Sequence, residues 1–465
     1  MSNRSVLRAA VLALGLTSSP ALADLFHYNN LLIGDRAIGL GGAFTAVADD
    51  ASGVYYNPAG LAFALNNDVS GSANAFYSKE TKYKDILPDL VPGEDYSEAA
   101  QGSVAPFFGG LQKLDSIAKG LVFAFAVYST NNESTNQNDA LVSTIDSSRS
   151  TVYLNFLRNV QLKSENSNIS GGLGYRVANN FAIGFSANLA TEYQLLQDYQ
   201  YTGSVSANSS GGYGYSVQSL NSRQEIELTS LEFGFGTQYA FAEKFSVGLN
   251  LKYRTLVSQS FSLLINQTVA GNSAACTSFS DCAEEIEVVE GGTTTSLGAA
   301  AQYRRSEIES EDLFGTSQMR ARFGLAYFHS TSLLLSFDVA YEGEVEKGSD
   351  ELAERSSLDF SKEAVVNYHF GTEYYVAPSF PIRFGAFTNN DARPAIDKSK
   401  TGQRDQINYT GLTFFGSWAQ PNSQLGLGVT YQTGSGEAQK VSNSSTIQEI
   451  ESTSIVYALS AAQSF

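Results

Sequence analysis

The sequence predicts an all-β protein: a transmembrane antiparallel β-barrel of about fourteen strands, with an N-terminal hatch of short helices plugging the lumen. Three observations predict it. Segments near the length of a membrane-crossing strand alternate between apolar side chains and polar or small ones. Their connections alternate between short turns and long loops. A compact Gly/Ala-rich stretch, Arg36 to Leu61 (RAIGLGGAFTAVADDASGVYYNPAGL), stands between an export signal and the first strand.

Residues 1–23 read as the signal. Arg4 and Arg8 supply the basic region, Ala9 to Leu16 the apolar run, and Ala21-Leu22-Ala23 the small-x-small cleavage site. The run is too short for a membrane anchor, which needs about 20 apolar residues. Residues 24–66 follow as the hatch. They are too few for a domain and too apolar for a tail. Within them Asn57-Pro58 has a local logic: Asn caps a helix by accepting an orphan N–H, and Pro suits the first helical position. Gly39, Gly41 and Gly42 permit tight turns and close backbone approach. Asp49 and Asp50 are expected either to cap a turn or to meet the lumen-facing Lys252, Arg254, Arg320 and Arg322.

The barrel occupies residues 67–465. In Ser332–Glu342, Leu333, Leu335, Phe337, Val339 and Tyr341 share one face, and Ser336, Asp338, Ala340 and Glu342 the other. Phe245–Arg254, Phe181–Ala190 and Gln424–Gln432 repeat the scheme. Strands are expected at 68–78, 102–112, 119–129, 160–176, 180–197, 223–240, 244–262, 316–328, 332–344, 362–375, 379–388, 407–419, 423–434 and 452–465. Short connections fall at Val177–Asn180, Phe241–Glu243, His329–Thr331, Ala377–Pro378 and Gln420–Asn422. Long ones fall at 79–101, 130–159, 198–222, 263–315, 345–361, 389–406 and 435–451. Turns on one side and loops on the other mark an outer-membrane barrel, and a soluble sandwich has no reason to sort them so. The connection at Asp115 is long for its class, and 287–308 could hold an extra hairpin. The last strand ends on Phe465, in phase with Ile455, Tyr457, Leu459 and Ala461. That residue is either a tag for barrel assembly or one more lipid-facing side chain.

Composition agrees: 41 Gly, 25 Tyr and 29 Phe, against 2 Met, 1 Trp and 3 His. The formal charge of −18 excludes a nucleic-acid partner. The acids either keep exposed loops soluble or hold divalent ions beside lipopolysaccharide. Cys276 and Cys282 (CTSFSDC), close together in an exported chain, are expected to form a disulfide at a loop tip. GLGGAF at Gly39–Phe44 lacks a Walker lysine and a G-x-G-x-x-G spacing. His27, His329 and His369 are scattered, and neither a G-x-S-x-G elbow nor an H-E-x-x-H motif occurs. The sequence therefore points away from an enzyme, and implies no cofactor or metal.

The Arg36–Leu61 stretch resembles the N-terminal hatch of the FadL family, outer-membrane transporters of long-chain fatty acids and hydrocarbons. The motif match is confined to that stretch, and strand number and loop layout extend it over the rest. The resemblance implies passive transport of a long-chain fatty acid or other hydrophobic small molecule across the outer membrane of a Gram-negative-type bacterium. It implies capture by the outer loops, transfer to a lumen site beside the hatch, and lateral release through the wall. Outer-membrane lipid, lipopolysaccharide and the barrel-assembly machinery would be its surroundings, and one chain the working unit. Asn57, Pro58 and Ala59 would be gating elements, although a plug that only fills the lumen accounts for the same residues. A wall gap needs a distorted strand, and Pro106 with Gly109 and Gly110 is the candidate, or else an ordinary proline at a strand start. Ile86, Leu87, Leu90 and Val91 could form a capture surface. Val152, Tyr153, Leu154, Phe156 and Leu157 could join it, form a rim helix, or begin the fourth strand early. The alternatives are a barrel that serves a secretion system as shuttle or anchor, and a general porin, against which the hatch argues.

Overall fold

The computed structural model describes residues 25–465 apart from 86–92, 94, 103–104, 148–149, 209–212, 273–292, 297–300, 355–357, 402 and 441–445. The expected signal, Cys276, Cys282 and the apolar loop residues Ile86, Leu87, Leu90 and Val91 lie outside the described residues.

A closed antiparallel barrel of fourteen strands forms the molecule. In chain order these are β1 (Asp68–Tyr83), β2 (Tyr96–Gly102 continuing as Ala105–Lys113), β3 (Leu121–Tyr128 continuing as Asn132–Ser147), β4 (Ser150–Ala178), β5 (Phe181–Asn208), β6 (Tyr213–Phe241) and β7 (Phe245–Asn272). Then come β8 (Ala301–Ser310 continuing as Ser317–Ser330), β9 (Leu333–Glu342), β10 (Val365–Ala377), β11 (Phe380–Asn389), β12 (Gln406–Gln420), β13 (Ser423–Ala438) and β14 (Gln448–Ser464). The barrel closes where β1 pairs with β14, from Asp68↔Ser464 to Tyr83↔Ile450. Closure leaves no lipid-facing edge with unpaired amides, which a membrane interior requires.

The expected faces appear as drawn. On β9, Phe337 and Tyr341 are exposed while Ser336, Asp338, Ala340 and Glu342 are buried. Phe185, Phe235, Leu251, Phe323, Phe370, Phe384, Phe414 and Leu459 continue an exposed apolar belt around the barrel. So continuous a belt is unfavourable in water at about 25 cal/mol per Å², and identifies the lipid-facing surface of an outer-membrane barrel. At the short-turn end Phe181, Tyr239, Phe241, Phe245 and Tyr327 touch ring to ring, an arc of interfacial girdle. Phe465 and Tyr457 share the outer face.

The long connections after β3, β5 and β7 are corrected. Much of 130–159, 198–222 and 263–315 is strand, so β4 to β7 run 28 or 29 residues each. Val152 to Leu157 accordingly belong to β4. Above the lipid the ladder continues with mostly polar side chains on the outer face, while the inner face carries Val160, Leu162, Leu196, Ile226, Leu228 and Phe261, buried in one apolar cluster. The hairpin allowed for at 287–308 exists as Thr293–Ser296 paired with Gln302–Arg305. By contrast β9 and β11 have 10 residues each, so the wall is tall on one side and low on the other.

Candidate functional site

The N-terminal segment lies inside the barrel. One turn of helix, α1 (Asp35–Gly39), leads into Gly41 and Gly42, whose φ values of 61° and 83° favour glycine. A second turn, α2 (Gly53–Tyr56), ends at Asn57, and a 3-10 turn follows at Gly60–Phe63. Leu40, Phe44, Val47, Val54 and Leu61 are buried in one apolar cluster with Phe107, Leu111 and Val122 of the wall.

Asn57 is fully buried and uses both ends of its amide. Its Oδ1 accepts the Ala59 N–H at 3.1 Å within the turn at Pro58; the 3-10 turn itself begins later, with Ala59 at its N-cap position in place of the expected Asn57. Its Nδ2 donates to the Thr45 carbonyl at 2.8 Å and to the Thr237 carbonyl of β6 at 3.1 Å. Pro58 and Ala59 are buried beside it. The three residues thus join the turn, the rest of the segment and the wall.

The wall receives this segment through missing side chains. A Cβ at Gly236 of β6 would collide with Asn57 Oδ1, one at Gly184 of β5 with the Pro58 backbone, and one at Gly248 of β7 with the Thr45 carbonyl. Gly324, Gly371 and Gly385 do the same for Ala46, Leu40 and Gly41. Sequence reasoning did not single these out. Four of the six sit in an apolar–Gly–apolar triplet, IGF at 183–185, VGL at 247–249, FGL at 323–325 and FGA at 384–386, and Gly236 and Gly371 sit in FGT.

Charged groups lock the seat. Arg36 reaches Asp49 at 2.7 Å and Glu373 at 3.0 Å, and Glu373 also accepts from Arg383 at 2.6 Å. Asp338 accepts the Phe44 and Thr45 N–H groups at 3.1 and 2.9 Å and the Thr45 hydroxyl at 2.6 Å. His369 Nδ1 meets the Gly41 carbonyl at 2.8 Å, while Arg322 donates to its Nε2 at 2.9 Å, which fixes the neutral Nδ1–H tautomer. Asp50 takes the capping role, accepting Ser52 N–H and Oγ–H at 2.8 and 2.5 Å. The expected pairing of Asp49 and Asp50 with Lys252, Arg254, Arg320 and Arg322 is corrected. Neighbouring strands carry nearer acids: Lys252 and Arg320 meet Glu232 at 2.8 and 2.9 Å, and Arg254 meets Glu192 at 2.7 Å.

Above the segment lie two cavities with separate linings. The larger, about 860 Å³ and open to solvent, is bordered by His27, Arg158, Arg393, Arg404 and Tyr409. The smaller, about 490 Å³, is lined by Phe26, Leu228, Leu256, Phe314, Val345 and Phe360, with Lys362 and Arg254 among them. Arg404 stacks 3.9 Å from the Phe360 ring centre, Arg393 4.6 Å from Phe26, and Lys362 5.6 Å from Phe26. Burial first, then the like charge of Arg393, lowers the Arg404 pKa to about 9, with Asp359 opposing. Apolar side chains dominate the lining of the smaller cavity, and cations flank its Phe26 and Phe360 rings. These residues come from the N-terminal segment (Phe26), from β6 and β7 (Leu228, Leu256) and from two connections (Phe360 and Lys362; Arg393 and Arg404), so no single motif joins them.

The wall is irregular between β2 and β3. Pairing runs from Lys113↔Val122 to Phe107↔Tyr128. Among the described residues the next backbone pair above is Gln101↔Ser134. Pro106 sits at the end of the lower ladder: it pairs with Ala73 of β1, and its carbonyl accepts the Ser129 N–H at 3.2 Å. Gly109 and Gly110 stand in regular pairs, and Gly109 faces inward against Ala51. The bend itself is at Ser129–Asn131, where the register of β3 on β4 shifts by one, from Tyr128↔Asn168 to Asn132↔Glu165. Asn166 and Ser164 hold it through Thr130 and Asn131, both at 3.0 Å. A third cavity, about 760 Å³, reaches this bend from Tyr55 and Glu232.

No protein-family model and no curated protein matches this sequence. Solved structures do. A Pseudomonas aeruginosa FadL homologue superposes with a TM-score of 0.59 at 12% identity, over 94% of this chain and 100% of that one. The chain has the FadL fold. Two further examples of it are the toluene transporter TodX of Pseudomonas putida (TM-score 0.53, 12% identity, 94% and 99% covered) and the toluene transporter TbuX of Ralstonia pickettii (0.51, 11%, 94% and 100%). Each match spans 94% of this chain and nearly all of the other.

Proposed function

We propose that this chain is a FadL-family transporter that passes long-chain fatty acids, or other hydrophobic molecules with an anionic head, passively across the outer membrane. The observation that carries the reading is the apolar cavity at Phe26 and Phe360, with Lys362 in its lining and with Arg393 and Arg404, which border the larger cavity, stacked on the same two rings. A hydrocarbon tail would fill the cavity and a carboxylate would sit against the cations. The fold shared with a FadL homologue and two toluene transporters supports hydrophobic cargo in general. The head-group chemistry favours an acid over a neutral hydrocarbon. No energy source is built in, so movement is downhill, and the reading is transport rather than catalysis.

Residues 24–66 act as the hatch and residues 67–465 as the barrel in this reading. Asn57, Pro58 and Ala59 gate, because one side chain couples the turn to the wall. Release is lateral, at the bend where Pro106 ends the lower ladder. The test is oleate uptake by cells with the protein, without it, and with Asn57→Ala at matched surface abundance. Uptake is expected to vanish in the deletion and fall in the variant. Equal uptake without the protein would overturn transport of that substrate and leave the secretion-system role as the reading to pursue. Equal uptake by the variant would remove gating.

A further inference from the structure

The outer face of the tall strands continues the lipid-facing surface upward in one unbroken phase. Above the turn, β5 keeps its register on β4 from Arg176↔Ala182 to Ser150↔Asn208, and on β6 from Phe181↔Tyr239 to Ala207↔Tyr213. Odd-numbered residues of these three strands therefore point outward along their whole length. From the membrane outward they change in three steps. Ile169, Leu173, Phe185, Leu189, Phe233 and Phe235 form the exposed apolar belt. Charges follow. Lys163 and Glu165 pair at 2.9 Å on β4, and Arg223 meets Glu225 at 2.9 Å on β6. Above Arg223 the outward positions of β4, β5 and β6 carry no charge among the described residues.

That uncharged stretch is built around tyrosines. One rung of the sheet runs Asn159, Tyr199, Asn221 and Asn266 across β4 to β7. The next runs Leu157, Tyr201, Ser219, Thr268 and Tyr303 across β4 to β8. Tyr199 is exposed, as are Leu157 and, further up, Tyr153. Carboxamides and hydroxyls thus flank the rings. The Tyr303 hydroxyl donates to Asn266 Oδ1 at 2.9 Å on this same face. Gly203 leaves its outward position open, and the Tyr201 ring leans over it, with Oη and Cε1 at 3.2 and 3.4 Å from where a Cβ would stand. Tyr303 lies three strands from Tyr201, about 14 Å away at about 4.8 Å per strand. Tyr199 stands ten residues above Leu189, a rise of roughly 25 Å at about 3.3 Å per residue and a tilt near 40°.

We propose that the outward face of β4 to β8 around Tyr199, Tyr201 and Tyr303 binds neutral sugar units of lipopolysaccharide packed against the barrel. The occupant follows from continuity with the lipid contact below. A lipopolysaccharide whose acyl chains lie on the apolar belt carries its phosphates next and its sugars beyond them. The strands present apolar side chains, then charges, then amides and rings in that same order. A pyranose has a face of C–H bonds and a rim of hydroxyls. The C–H face packs on the negative face of an aromatic ring, and the hydroxyls exchange hydrogen bonds with Asn159, Asn221 and Ser219. Phosphate would call for Arg or Lys, and on these three strands those stop at Arg223. The separation of Tyr201 from Tyr303 suits a short oligosaccharide rather than a single sugar. Each contact is weak, but a lipid already held at the belt supplies its own sugars at high effective concentration. None of this depends on what the barrel transports.

The test uses the full-length protein in deuterated detergent. The probe is the oligosaccharide released from smooth lipopolysaccharide by mild acid, which removes the lipid. Saturation-transfer NMR with irradiation of the aromatic protons should mark hexose C–H protons. Tyr199→Thr with Tyr201→Thr keeps strand-forming residues in place and should cut the signal by about fivefold or more. Tyr303→Thr, on a different strand, should weaken it independently. Lys163→Gln with Arg223→Gln should leave it unchanged, and oligosaccharide from a deep-rough strain, which lacks the hexoses, should give none. No signal from the unmodified protein overturns the proposal. So does an equal signal from both tyrosine variants, or loss in the charge variant, which would assign the contact to phosphate. Sedimentation covers the remaining occupant: a dimer that the tyrosine variants dissolve makes this face a contact between two copies of the chain, and overturns the sugar site.

Discussion

The side-chain amide of Asn57 donates to the backbone carbonyl of Thr237 at 3.1 Å, across 180 residues of sequence. It ties a one-turn element of the plug to a strand of the wall. Asn57→Ala leaves buried carbonyls of Thr45 and Thr237 without this partner, which costs about 1–3 kcal/mol. Amide exchange over 45–60 should accelerate while the barrel's own melting stays the same, as hydrogen-exchange mass spectrometry would report. Unchanged exchange would mean that Asn57 anchors nothing.

Gly236→Ala tests the seat from the other side. The added methyl collides with Asn57 Oδ1 and lies 2.9 Å from Pro58 Cδ. Overpacking of this kind costs about 1–3 kcal/mol. The barrel should still form and resist detergent on gels, while the N-terminal segment becomes open to protease. Gly416→Ala is the control, because a Cβ there meets nothing within 4 Å.

Arg404→Met should raise stability without ligand and remove the response to ligand. The native pKa of about 9 lies below the unfolded value near 12.5. The unfolded chain therefore keeps a proton that the folded chain has lost, and wild-type stability rises as pH climbs from about 9 toward 12.5. Below that window the charged group is held against burial and against Arg393, with Asp359 as partial relief. The variant lacks this slope. Melting scans with and without oleate should show a higher starting temperature and a smaller oleate shift than wild type. An equal oleate shift would take the head group away from this arginine.

Asp338→Ala deletes an acceptor shared by Phe44 N–H, Thr45 N–H and the Thr45 hydroxyl. Loss of charge-assisted bonds in a buried seat costs about 2–3 kcal/mol. Urea should release the plug at a lower concentration than in wild type, and protease digestion at rising urea would measure it.

Much of this was legible in advance, because lipid imposes a period of two on each crossing strand. Leu333 to Glu342 shows it, as do the short turns at Val177–Asn180 and Gln420–Asn422. The upper halves of β4 to β7 were not legible, since the outward apolar face that marks a crossing strand ends there, and the apolar side chains that remain turn inward. Nor were the partners of Asp49 and Asp50. Facing the lumen fixes a direction but not a neighbour, and Glu232 stands nearer to Lys252 and Arg320. The cations at Phe26 and Phe360 meet only in space. Four of the six wall glycines were present in a recurring triplet, and their meaning depended on what lies opposite each one.

The uneven height of the wall gives the molecule a front and a back. Twenty-eight residues at about 3.3 Å each, tilted some 40°, rise roughly 70 Å, well clear of a hydrocarbon layer about 25 Å thick. Elsewhere β9 and β11 have 10 residues each, and the connections that follow them carry Phe360, Lys362, Arg393 and Arg404 up beside the cavities. The rim is thus hydrogen-bonded ladder on one flank and loop on another. A ladder keeps its shape by its own backbone, whereas a loop keeps it by the side chains it rests on.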